Sequence, residues 1–492
     1  MKNRIVFIYL LVFLSGYAYA ETPKFEIRAA WLTTVYGLDW PKHPATTKAG
    51  YQRQREELCL LLDSLQNANF NMIFLQVRLR GDVIYRSAIE PFSKIFTGKY
   101  GVMPDYDPLA FGIEECHKRG MECHAWFVTF PVGSAKVVKE QGNRSAVKRR
   151  PELCKRHNDE WYLDPGLPET RSYLRSLVNE LIANYDVDGI HFDYIRYPEK
   201  ANRFPDRTVY RKYGKKVSLD EWRRTNISSL VSIVYDDVKR QKPWVQVSSS
   251  PLGKYSRISR FPNAEWTAYE SVFQDVRKWL QDGKQDMVVP MMYYLYDDFF
   301  PFVDNWVENA NGRFIVPGLG AYRLEQTEGN WELNHITDQI DYCRSFGGNG
   351  TSLFRVGNVL DDSKGFYSEL KNTYYKYPAI LPPLTWLCDE KPASPEEVRV
   401  ERKDGELILS WKRPEDDSTI SYYTVYSSLS DTLDMNKAKS ILATGLRDTV
   451  LYLPINDVKE QEFIFSVSAS NRYRIESLPS RETYYYYSDY IK

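Results

Sequence analysis

The 492-residue chain lacks net charge, because 65 Lys and Arg balance 65 Asp and Glu, so its overall electrostatics give no argument for nucleic acid or an anionic membrane as partner. Cysteine is scarce. The six residues, at 59, 116, 123, 154, 343 and 388, form no CxxC pair; they leave room for one bridge, not for a disulfide framework, and speak against zinc. Histidine shows neither HxH nor HExxH spacing, so no metal site and no cofactor is implied. No glycine-rich phosphate loop follows the first strand pattern, which argues against a dinucleotide-binding sheet. The apolar run Ile5 to Leu14 is too short for a comfortable membrane span. It follows Lys2 and Arg4 and precedes "GYAYA", the pattern of a secretory signal peptide over residues 1–20 with Ala18-Tyr19-Ala20 at the cleavage site. No Cys follows to accept a lipid. The mature protein is expected to be exported, periplasmic or extracellular, with no transmembrane segment.

Aromatic residues are abundant at 15%, with 37 Tyr and 12 Trp. Sugar-binding clefts use aromatic faces as stacking platforms, and Tyr-rich strands produce the same composition. Between Ile27 and about Gly357, eight short apolar runs alternate with longer amphipathic segments: 27–35, 72–78, 121–128, 189–197, 245–251, 287–294, 314–322 and 351–356. Helical spacing appears at 55–68, 108–120, 169–185 and 220–241. Eight strand–helix units predict an α/β chain with a (β/α)8 TIM-like barrel over residues 22–378. A Pro-rich linker is expected at 379–389. Beyond it, strand alternation without helix, Trp411, "YYTVY" and "FSVSASNRYRIES" resemble a small all-β fibronectin type III domain over 390–488, read as a spacer or a docking module for an envelope protein partner.

The stretch "DVDGIHFDYIRYP", Asp186 to Pro198, reads as a buried strand that carries His191 and Asp193 where apolar residues should be. Side chains alternate along a strand, so Ile190, Phe192 and Tyr194 share one face while His191 and Asp193 share the other. A buried carboxylate needs a partner or a task. In a barrel the chemistry sits at the C-terminal ends of the strands, and polar residues gather there. The second strand ends with Gln76, Arg78, Arg80 and Asp82; the third carries His124 and Trp126; the fourth runs on to Arg196. The sixth ends with Tyr293, Tyr294, Asp297 and Asp298, and the eighth carries Arg355.

"RAAWLTTVYGLDWP", "FLQVRLRGDVIYRS", "YDPLAFGIEECHKRGMECHAWF", "WYLDPGLPETRSYL" and "YDVDGIHFDYIRYP" together resemble the glycosyl-hydrolase-10-like family over roughly residues 25 to 370. The resemblance implies a TIM-like barrel and a secreted glycoside hydrolase acting on bacterial cell-wall glycans, notably peptidoglycan strands stripped of their peptides. The family motif places its Asp on Asp193. Many relatives read "HFDDYFYP" here, whereas this chain has Tyr194 in place of a second Asp.

Glycoside hydrolysis ordinarily employs two carboxylates. Asp193 supplies the first, as acid or nucleophile. The fifth strand ends in serines, so the second must come from a loop, with Asp82, Asp297, Glu199 and Asp39 as candidates in falling order. A 2-acetamido sugar would instead supply its own nucleophile. His191 and Arg196 are expected to set the pKa of Asp193, within reach of Arg78 or His124. Arg78, Arg80 and Arg355 are expected to hold the substrate, with Gln76 and His124 beside them, and Trp31, Trp126, Tyr293 and Tyr294 to stack on sugar faces. The rival readings are a hydrolase of host or plant glycans in nutrient uptake and a non-catalytic glycan-binding envelope scaffold.

Overall fold

The eight apolar runs become eight parallel strand positions. In the computed structural model, which describes residues 22–415, 417–429, 432–454 and 462–486, these are β1 (Ile27–Leu32), β2 (Met72–Arg78), β3 (Glu122–Val128), β4 (Gly189–Asp193), β5 (Gln246–Ser249), β6 (Met287–Val288), β7 (Phe314–Ile315, resuming as Gly318–Leu319) and β8 (Gly350–Phe354). The expected signal peptide lies outside the described residues. Neighbours run β7–β6–β5–β4–β3–β2–β1–β8–β7, so both ends of the order fall on the single run 314–319. This is a TIM-like (β/α)8 arrangement.

Three strands stop earlier than their apolar runs. Pro290 and Pro317 have no N–H to give a ladder, which cuts β6 and β7 short. Pairing persists around them, since Val289 N donates to Ser249 O at 2.8 Å and Gly318 N to Pro290 O at 2.8 Å. β4 ends at Asp193 because Tyr194 turns to φ 49°, a left-handed conformation that a strand cannot continue.

Side-chain acceptors start the covering helices. Thr47 caps Lys48–Asn67, Asp107 caps Pro108–Lys118 and Ser218 caps Leu219–Gln241, each accepting from backbone N–H groups of the first turn. Leu58, Leu62 and Leu65 lie on one buried stripe of the first of these helices. Ile190 and Phe192 join the same outer core.

Two regions depart from expectation. Between β3 and β4 the chain forms a three-stranded antiparallel sheet from Pro131–Ser134, Cys154–His157 and Glu160–Leu163, which the apolar pattern did not announce. The Pro-rich stretch expected as a linker is built into the barrel instead. Glu26 N donates to Ile380 O at 3.0 Å and Ile380 N to Lys24 O at 2.8 Å. Leu381 and Leu384 enter the interior cluster of Ile27, Ala29, Met72, Phe74, Met287 and Phe314, and Trp386 packs on Phe314 at 4.8 Å. Each such Leu burial stabilises by about 1.5–3 kcal/mol relative to exposure. The stretch closes the floor of the barrel, at the N-terminal ends of the strands.

The C-terminal segment has two antiparallel sheets. One holds Glu396–Lys403, Glu406–Lys412 and Val450–Pro454; the other holds Ile441–Leu446, Ile420–Ser428, Glu462–Asn471 and Thr483–Tyr486. Leu409, Trp411, Tyr423, Val425, Phe465 and Val467 fill the space between them. This segment docks on the barrel floor. Arg474 pairs with Glu122 at the start of β3 and Arg472 with Asp186 just before β4. The approach is close enough that a Cβ on Gly120 would lie 2.7 Å from Thr444 O. Among the described residues no helix is long and apolar enough to cross a membrane.

Candidate active site

The inward face of β4 and its neighbours stacks in layers from floor to mouth. At the floor, His124 Nε2 bonds Glu122 Oε2 at 2.9 Å, and Glu122 also accepts from Arg474. Burial alone would push the Glu122 carboxyl up, but Arg474 and His124 hold it down at about 2. Gly189 makes room here, for a Cβ on it would lie 2.3 Å from His124 Nδ1.

One layer higher, His191 stacks on Phe74 with ring centroids 4.1 Å apart. Trp31 Nε1 donates to His191 Nε2 at 3.1 Å, and an indole nitrogen only donates, so Nε2 carries no proton. The proton therefore sits on Nδ1 and is given to Ser248 Oγ at 2.9 Å. Burial, with a smaller push from His124, holds the imidazole well below its ordinary pKa and keeps it neutral.

Asp193 forms the top layer. Its Oδ2 accepts from Trp126 Nε1 at 3.1 Å and its Oδ1 from Tyr194 N at 2.7 Å. Burial raises its pKa above the usual carboxylate value, and the charge of Arg196 with hydrogen bonds from Tyr194 N, Ser250 and Trp126 offset this only in part. A shift in this direction is the one a general acid needs.

Asp193 opens on a cavity of about 500 Å³ lined by Gln76, Arg80, Trp126, Tyr194, Arg196 and Tyr293, together with Glu160, Tyr162, Glu199 and Phe354. Gln76 is partly committed, since its Oε1 accepts from Thr34 N at 3.0 Å and Val35 N at 2.9 Å. Glu160 was not among the expected carboxylates. Its signal was present: "CKRHNDEWYL" is two four-residue strands around Asn158-Asp159, whose φ values of 48° and 64° are those of a two-residue hairpin turn.

Several expected site residues belong to the scaffold. Arg78 is fully buried and spends its guanidinium on Glu90, at 2.7 and 2.6 Å, and on the carbonyls of Val128 and Thr129. It joins strand ends rather than touching the cavity. Arg355 pairs with Asp39, whose other oxygen accepts from Thr33 N and Oγ1 at 2.9 and 2.8 Å. Both groups are thereby used in holding the loops after β8 and β1. His124 lies at the floor, away from Asp193. His191 and Trp31 bond each other beneath the cavity. Asp82 is buried, accepts from Arg80 N at 3.0 Å and is raised by burial, but does not line the cavity. Asp297 stands exposed on the single turn Tyr296–Asp298, and Tyr294 lies against Lys254, 5.0 Å from ring centroid to Nζ. Among the described residues no group of three or more His, Cys, Asp or Glu is arranged to hold a metal ion.

The family model described as glycosyl hydrolase-like 10 matches residues 26–305. "Glycosyl hydrolase YngK" of Bacillus subtilis (strain 168) is 28% identical over 488 residues, covering 93% of this chain and 93% of its own. "Glycosyl hydrolase DigH" of Escherichia coli (strain K12) is 32% identical over 365 residues, 67% of this chain and 82% of its own. The glycoside hydrolase domain of PgaB (BpsB) from Bordetella bronchiseptica superposes with a TM-score of 0.48 at 12% identity, over 71% of this chain and 98% of that one.

Proposed function

Because the chain belongs to the glycosyl hydrolase-like 10 family, we propose that it is an exported glycoside hydrolase whose substrate is an amino-sugar strand of the peptidoglycan type. The observation that carries the reading is the placement of Asp193, a carboxyl whose pKa burial raises, at the mouth of a cavity walled by aromatic rings. In this role Asp193 donates its proton to the glycosidic oxygen as the bond to the leaving sugar breaks. Glu160 and Glu199 are the carboxylates available to act as base or nucleophile from the same cavity. Where the substrate carries a 2-acetamido group, its carbonyl oxygen is a second source of that nucleophile. Trp126, Tyr162 and Tyr293 offer faces for sugar rings. The leader pattern over residues 1–20 supports export, and the three- and four-stranded sheets of the C-terminal segment support the fibronectin type III reading.

The test is to incubate the purified chain with peptide-stripped peptidoglycan and with a panel of plant and host polysaccharides, and to measure released fragments. Fragments are expected from the peptide-stripped strand and from no Asp193→Asn sample. Release from the plant or host panel alone would overturn the substrate, and tight binding without release would favour a glycan-binding scaffold.

A further inference from the structure

Fully buried arginines elsewhere in the molecule are matched to acids: Arg28 to Glu26, Arg78 to Glu90, Arg223 to Asp206 and Arg474 to Glu122. Arg28 keeps one unpartnered nitrogen, Nη2, but has its acid; Arg196 has neither an acid nor a partner for its Nη1 among the described residues. It lines the cavity beside Asp193, its guanidinium carbon lies 4.6 Å from the centroid of the Tyr194 ring, and its Nη1 is buried without a hydrogen-bond partner. Among the described residues it forms no ion pair. Arg80 faces the same cavity, donates to the Tyr36 hydroxyl at 2.8 Å, and likewise pairs with no acid among the described residues. A buried guanidinium N–H left without a partner is costly, and an anion entering this cavity would meet two guanidinium groups that no acid touches directly among the described residues.

From this geometry we infer that Arg196, stacked on Tyr194 and assisted by Arg80, forms a subsite for a carboxylate carried by the substrate sugar. The inference rests on the hydrolase reading only for the identity of the site. A guanidinium presents parallel N–H donors that match the two oxygens of a carboxylate, and stacking on Tyr194 restricts its rotation so that less is lost on binding. A dianionic phosphate fits less well, because Glu160 and Glu199 line the same cavity and repel a second negative charge. The left-handed backbone of Tyr194, φ 49°, is the local strain that presents the ring. Two sugar chemistries carry the required group: an amino sugar bearing a lactyl ether, and a uronic acid.

The experiment compares the full chain on three matched oligosaccharides: a peptide-free strand with free lactyl carboxylates, its methyl ester, and a uronate-bearing chain. Wild type is expected to favour the free acid over the ester by about 10- to 100-fold in kcat/KM, the range of one charge-assisted hydrogen-bond pair. In Arg196→Gln the acid-to-ester ratio is expected to collapse toward one, with Arg80→Gln giving a smaller collapse. Preference for the uronate chain would assign the subsite to that source. An acid-to-ester ratio near one in wild type, or a ratio unchanged in Arg196→Gln, would overturn the inference. Should wild type cleave none of the three, calorimetric binding of acid and ester decides: an acid preference lost in Arg196→Gln keeps the subsite and removes the hydrolase reading, whereas equal binding removes the subsite.

Discussion

The floor and the mouth of the barrel each hold a carboxylate on neighbouring strands, half-buried at the floor and buried at the mouth, and the two behave in opposite ways. Glu122, at the start of β3, is met by Arg474 and His124 and is held near 2; Asp193, at the end of β4, is hydrogen-bonded by neutral donors, feels the charge of Arg196 without an ion pair to it, and is raised. Burial acts on both. The difference lies in whether an opposite charge is brought into direct contact, and it separates a group that holds domains together from one that can move a proton. Arginines repeat the contrast, since Arg474 is bonded on several sides while Arg196 keeps a buried N–H unpaired.

The largest effect expected is from Asp193→Asn, which should lower the rate by about 10²–10⁴-fold because an amide cannot donate the proton. Its melting temperature should stay level or rise, and a much earlier melt with normal turnover would move Asp193 to the paired class. Arg474→Gln tests the other side. It leaves the half-buried Glu122 with His124 as a close partner and without its arginine, and should destabilise by up to about 3 kcal/mol in denaturant titration, with turnover per folded molecule preserved. An unchanged titration would show that the C-terminal segment is only attached to the floor and does not secure it.

Acid titration separates the two carboxylates by sign. Glu122 is depressed in the folded state, so its contribution is present above the unfolded value of about 4.3 and is lost as pH falls toward 2. Asp193 is raised, so its contribution is full below about 3.9 and is lost as pH rises through the folded value. The gap in melting temperature between Asp193→Asn and wild type should therefore open in favour of the variant between acid and neutral pH. Wild-type turnover should fall over the same rise as the acid deprotonates. A gap that closes with rising pH would contradict the assignment. The smallest effect is local to the mouth. Asp159→Gly relieves a positive φ of 64° in the hairpin that carries Glu160 but frees the unfolded chain and removes the exposed Arg156–Asp159 pair, so thermal melts should shift by less than about 1 kcal/mol in either direction, and a larger loss would show that the turn depends on the Asp side chain.

Much of the barrel was legible because its signals are local. Strand runs such as 72–78, the capped helices and the alternation that turns His191 and Asp193 inward all depend on residues a few positions apart. The hairpin around Asn158-Asp159 was equally local and was missed because its strands are too short and polar for an apolar pattern to find. The linker reading failed for a different reason: dense Pro does break helices, but a broken helix can still lay Leu381, Leu384 and Trp386 against an apolar floor.

Which charges meet is decided across long stretches of chain. Glu122 and Arg474 are 352 positions apart, and Arg355 reaches Asp39 across 316. Arg78, Arg80, Arg196 and Arg355 look alike in the sequence, each a basic residue at or just beyond a strand end. Among the described residues the fold gives acids to Arg78 and Arg355 and pairs none with Arg80 or Arg196. Sequence by itself determined the eight strands and the inward face of Asp193, because a period of two is written in neighbouring residues. Only the tertiary structure decided that the carboxylate at the floor is ion-paired and the one at the mouth is not, because Coulomb attraction depends on distance in space, which residue order does not specify.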